Sequence, residues 1–158
     1  MTSTVPHRPS QRLAEEKLAT LHLIDTLKQE QELLIGNGQA DEIPAVISTK
    51  ANIVAEMAEL AGLRHQILGS LSLPAGEDGM QIWIDQYGSE QDKQVWRDLF
   101  TLAQTARELN RLNGILVGRQ MAINQGAIHA LQGKTNGTFY GPDGQSKTRN
   151  NGRPLAIG

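Results

Sequence analysis

Residues 89–132 read SEQDKQVWRDLFTLAQTARELNRLNGILVGRQMAINQGAIHALQ. Val95, Leu102, Leu109, Leu116 and Ile123 recur at strict sevens, with Leu99, Ala106 and Ala127 on the alternate positions. Steps of three and four place all of these on one helical stripe. A stripe that repeats every seven residues packs lengthwise on another helix at a shallow angle. The stretch therefore predicts one long helix of about 43 residues, ending near Leu131. Asn113 and Gln120 fall in the same seam, where a polar side chain either selects register in a coiled-coil-like core or serves an interface. Ser89 begins the helix with an approximate capping box, Asp92 standing where Glu or Gln is usual.

Two further helices are legible upstream. From Ser10, read as an N-cap, the apolar positions Leu13, Ala14, Leu18, Leu21, Ile24, Leu27 and Leu34 predict a first helix that stops at Gly36 in the turn GNGQAD. Asp41 is the expected cap of a second helix, with Pro44 in its first turn. There Val46, Ile53, Leu60 and Ile67 lie seven apart, Met57 and Leu71 fill the alternate positions, and Lys50 and Arg64 interrupt the seam. SLSLPAGEDG ends that helix, and GMQIWIDQYG is either a short helix at 79–87 or an ordered loop over the open end of the bundle. The expected fold class is all-α. It comprises an antiparallel bundle of three long helices over 10–132, an unstructured N-terminal arm over 1–9, and a flexible basic C-terminal tail over 133–158.

Composition narrows the function. The 158 residues are 39% hydrophobic and 20% charged, as expected of one ordinary domain. The absence of cysteine excludes disulfides, thiolate catalysis and Cys-ligated metals. A formal charge of -2 argues against a broad nucleic-acid-binding face. Charge is nonetheless uneven. Residues 1–132 carry 11 Lys/Arg against 16 Asp/Glu, and residues 133–158 carry 4 against 1. No apolar run reaches the about 20 residues of a membrane span, and MTSTVPHRPSQR lacks the apolar core of a signal peptide. A cytoplasmic location is expected. No histidine has an acid three residues before it, so the Glu-x-x-His pattern of a di-iron bundle is missing. Neither a metal centre, nor a cofactor, nor an enzyme activity is expected.

Helix lengths carry a further consequence. The first two helices span about 26 and 30 residues, so an up-down-up bundle leaves the last one outreaching them by about 12 to 14 residues, or roughly 20 Å. Met121, Ile123, Ile128 and Leu131 lie in that stretch, and an uncovered apolar strip marks an interaction surface. Two alternatives are that the chain folds back at Gly126, or that residues 80–87 cover the strip.

Two family resemblances follow from local motifs. His129-Ala-Leu-Gln-Gly133 resembles the His-x-Leu-Lys-Gly signature of histidine phosphotransfer domains, which would make His129 a phosphoryl carrier, although Gln132 replaces the lysine. The alternative is a partly exposed histidine near the C-terminal dipole of its helix. The second resemblance is longer. LNRLNGILVGRQMAINQGAIHAL from Leu109, followed by TFYGPDGQS, resembles the C-terminal half of the FlgN family, cytoplasmic chaperones of flagellar type III export. The family motifs appear here as Asn110, Asn113 and Gly114, then Tyr140, Gly141, Gly144 and Gln145.

That resemblance implies a non-enzymatic chaperone. Its partners would be the hook-filament junction (hook-associated) proteins and the cytoplasmic domain of the export gate, with no nucleic acid and no stable membrane insertion. Client contacts are expected at Leu112, Leu116, Met121, Ile123, Ile128 and Leu131, because an amphipathic client helix can lay its apolar face beside them. The resemblance carries gate binding to Tyr140, with Gly141 and Gly144. A homodimer, or a homo-oligomeric coiled-coil scaffold using the same strip, is the competing expectation.

Overall fold

The computed structural model describes residues 7–150, with side chains described for residues 7–133. Its helices are α1 (Leu13–Leu34), α2 (Ile43–Ser70), α3 (Glu77–Tyr87) and α4 (Glu90–Asn150), with a single 3₁₀ turn at Ala40–Glu42. The all-α class holds: no strand occurs among the described residues. The chain divides into two units at Leu116/Val117.

The first unit is an up-down-up bundle, and its ion pairs fix the directions. Glu16 near the start of α1 pairs with Arg64 near the end of α2, and Glu30 near the end of α1 pairs with Lys50 near the start of α2, so these helices are antiparallel. Lys17 meets Asp98, and Leu27 meets Asn113, so the α4 segment up to Leu116 runs parallel to α1. The helix α3 closes one end. Met80, Trp83 and Ile84 join Leu13, Leu68, Trp96 and Leu99 in a core where α1 starts, α2 ends and α4 starts. A second core further along holds Leu23, Ile24, Leu27 and Ala106, with Ile53, Met57, Leu102 and Leu109 packed against it.

The expected seams are partly redrawn. On α1 Leu13, Ile24 and Leu27 are buried as expected and Glu16, Thr20, Leu23 and Glu30 join them, while Ala14, Leu18 and Leu21 are exposed. Apolarity alone misplaced part of this seam because two of its positions are carboxylates. Those carboxylates are matched by Arg64 and Lys50, the two residues that interrupt the α2 seam. Leu71 also leaves the seam and is exposed, its place in the core taken by Leu68. The α4 seam is as expected from Val95 to Leu116, with Trp96 buried beside it.

Helix ends follow local chemistry. Ser10 accepts the Leu13 N–H through its backbone carbonyl, and its side chain does not cap, so α1 begins at Leu13. Asp41 lies inside the 3₁₀ turn and does not cap α2. Ser89 and Asp92 do form a reciprocal box: the Ser89 N–H donates to Asp92 Oδ2, and the Asp92 N–H donates to Ser89 Oγ, both at 3.1 Å. Pro9, expected in an unstructured arm, is buried, and Arg8 lies over the Trp83 ring at 5.8 Å. The rest of that arm, residues 1–6, is outside the described residues.

The last helix is longer than its composition suggested. α4 continues past Leu131 and Gly133 to Asn150, where glycine punctuation pointed to a helix end. It is unbroken at Gly126, which removes the fold-back alternative. Of the apolar side chains of α3, Met80, Trp83 and Ile84 are in the first core, while Ile82 and Tyr87 are exposed.

Candidate functional site

Two polar layers cross the bundle between its apolar ones. In the first, Arg64 Nε donates to Glu16 Oε2 at 3.0 Å and Arg64 Nη2 to Glu16 Oε1 at 3.2 Å, a bidentate arrangement of the kind arginine favours. The same guanidinium lies over the Trp96 ring at 5.2 Å, and the Trp96 indole N–H donates to Gln81. In the second layer Asn113 is 1% exposed, and its Nδ2 donates to both the Leu27 carbonyl and Glu30 Oε1 at 2.9 Å. Lys50 Nζ reaches the same Glu30 carboxylate at 3.3 Å. Asn113 thus lies inside the bundle and not on an exposed interface.

The family-motif residues therefore separate. Asn113 is interior, whereas Asn110 and Gly114 are exposed. A Cβ at Gly114 would meet nothing within 4 Å, so no contact among the described residues requires glycine there.

The six expected client-contact residues separate too. Leu112 and Leu116 are half-buried in the first unit. The other four belong to the second unit and are exposed: Met121 57%, Ile123 69%, Ile128 52% and Leu131 64%. They do not form one strip. At about 100° per residue Met121 and Ile128 lie within about 20° of each other, with Leu131 about 60° from Ile128. Ile123 is about 160° away from Met121. Val117, 41% exposed and one turn before Met121, extends the first face and was missed because it falls just before the stretch that the helix lengths leave overhanging. This helix segment thus presents apolar groups on two sides.

His129 is also exposed on this helix, but not at its end. The helix runs on to Asn150, so no C-terminal dipole acts on the imidazole. The Tyr140, Gly141 and Gly144 positions fall in the helical backbone of α4, and their side chains are outside those described. No group of three or more potential metal ligands comes together among the described residues. None of the described helices is long and apolar enough to cross a membrane.

Known proteins resemble the chain along most of its length. The flagella synthesis protein FlgN of Yersinia enterocolitica is 27% identical over 132 residues, covering 80% of this chain and 84% of that protein. The protein of that name from Escherichia coli strain K12 is 25% identical over 146 residues, 89% of this chain and 94% of the other. The one from Proteus mirabilis is 27% identical over 123 residues, 77% of each. No solved structure matches the chain significantly. The sequence profile described as FlgN protein matches residues 3–148, spanning the bundle, the motif around Asn113 and the two-sided apolar helix. On the strength of that nearly full-length match, the chain belongs to the FlgN family.

Proposed function

We propose that this chain acts in flagellar synthesis as a cytoplasmic export chaperone. It holds the terminal amphipathic helices of hook-filament junction proteins, prevents their premature assembly and delivers them to the flagellar type III export gate. Family membership supports the flagellar role. The observation that carries the chaperone reading is the exposure of Val117, Met121 and Ile128 on one helical face, with Ile123 on the other and Leu131 between them.

Each large aliphatic side chain fully buried by a partner contributes about 1.5–3 kcal/mol. Three or four such groups are enough to hold an amphipathic helix after the cost of ordering it. Two apolar sides let a client helix wrap the segment, hiding its own assembly face. Gate binding is assigned to Tyr140, since one aromatic anchor can dominate a small interface.

Calorimetric titration with a peptide of a client's C-terminal helix tests the division of labour. Met121→Ser with Ile128→Ser should weaken client binding by at least about tenfold, as loss of two buried aliphatic groups requires. Tyr140→Ala should weaken only the gate interaction. The reverse pattern overturns the reading. The same exposed faces also suit a homo-oligomeric scaffold, and sedimentation of the chain alone, then with peptide, separates the two. A scaffold self-associates without the peptide.

A further inference from the structure

The first unit holds a second candidate surface, remote in sequence from the exposed α4 faces. Where residues 7–12 cross α2, a cleft of about 270 Å³ is floored by Leu60, Leu63 and Ile67. Every charged side chain that lines it is an arginine: Arg8, Arg12 and Arg64. This is notable in a chain whose first 132 residues carry 16 acids against 11 Lys/Arg. Neither Arg8 nor Arg12 has an acidic partner among the described residues. Arg64 spends Nε and Nη2 on Glu16, but its Nη1 is buried with no hydrogen-bond acceptor.

Arg8 also borders a second cleft, of about 550 Å³, floored by Leu71, Leu73 and Trp83. The two clefts share His7 and Arg8, so two apolar floors meet along a cationic ridge. A small inorganic anion would use the ridge and leave both floors wet. A ligand using all of this has carboxylates spaced between aliphatic groups.

We propose that this pair of clefts docks an amphipathic peptide segment bearing carboxylates, its acids on Arg8 and Arg12 and its aliphatic side chains on the α2 floor. The site is independent of the apolar faces of α4 and does not rest on the chaperone reading. The chain's own residues 1–6, Met-Thr-Ser-Thr-Val-Pro, carry no acid and do not match this charge pattern.

The test uses the full chain and a dye-labelled synthetic peptide helix with leucines at i, i+3, i+4 and i+7 flanked by glutamates. Fluorescence anisotropy should report saturable binding that weakens as salt is raised. The Arg8→Glu, Arg12→Glu double variant should bind at least about tenfold more weakly, since close charge reversal across an interface costs several kcal/mol. Arg8→Lys, Arg12→Lys should retain most of the affinity, which separates lost charge from a lost fold. A Gln-for-Glu peptide should also bind at least about tenfold more weakly.

Absence of binding, or equal affinity for the Gln peptide, overturns the proposal. So does unchanged affinity after charge reversal, or loss of binding in the Met121→Ser, Ile128→Ser chain. If deleting residues 1–6 tightens binding by more than about tenfold, the N-terminal segment is the natural occupant and the proposal fails.

Discussion

Asn113 Nδ2 donates to Glu30 Oε1 at 2.9 Å and to the Leu27 carbonyl at 2.9 Å, in a layer of the bundle where Lys50 also reaches Glu30 and the neighbouring core is aliphatic. The pair fixes the axial register of α4 against α1, because sliding by one turn would strand an amide and a carboxylate in an apolar layer. Asn113→Ala should therefore cost about 1–3 kcal/mol, the penalty for an uncompensated buried polar group. Urea unfolding followed by circular dichroism checks this. A change within experimental error would mean that Lys50 alone satisfies Glu30.

The Glu16–Arg64 pair calls for a double-mutant cycle. Side-chain exposures of 8% and 11% place it out of water, so removing either partner leaves an unmatched charge. Glu16→Leu or Arg64→Met alone should lose about 3–5 kcal/mol, whereas the two together should come close to the parent or exceed it. Equal, additive losses would show that the pair contributes through packing on Trp96 and not through charge.

Gly79 admits no side chain. It sits in the first turn of α3, and a Cβ there would overlap the Pro74 carbonyl. Backbone cannot swing aside as a flexible side chain can, so Gly79→Ala should lift α3 from the Leu13, Leu68 and Trp96 core. A loss of about 2–4 kcal/mol is expected, with a red shift in tryptophan emission as Trp83 and Trp96 meet water.

The Asp98 carboxyl is held below its ordinary value, first by the Gln94 amide that donates to it and then by the Lys17 ammonium at 3.1 Å. A lowered folded-state value means that the folded chain favours the ionised form. The resulting stability is present above the unfolded carboxylate's pKa and is lost as pH falls through the lower folded value. Asp98→Asn should flatten the acid limb of a stability–pH curve and leave neutral pH little changed, because the group is half-exposed and screened by solvent. Glu108, held low by the Arg111 guanidinium, acts in the same direction and should be replaced in parallel to isolate Asp98.

Local chemistry made much of the bundle legible. Sevens along α4 up to Leu116 and along α2 correspond to buried or half-buried positions, and Ser89 with Asp92 forms the capping box that its spacing suggested. Periodicity succeeded there because a helix buried along one stripe repeats its apolar residues at helical steps. It was only partly right on α1, where Leu13, Ile24 and Leu27 are buried but Glu16 and Glu30 occupy core positions that polarity alone assigns to solvent. Each is matched by a cation from a residue at least 20 positions away, and no local pattern reveals such a partner.

The sequence by itself determined the all-α class, the three long helices and the family, since these depend on spacing and on motifs read within one segment, whereas the helix at Glu77–Tyr87 was settled only by the structure. Tertiary structure alone decided that Arg64 and Lys50 complete the seam instead of breaking it, and that Asn113 faces inward. It also decided that the arginines at positions 8, 12 and 64 gather on one cleft. The physical reason is that a charge is tolerated or excluded according to what lies across from it, and that neighbour is set by packing between helices.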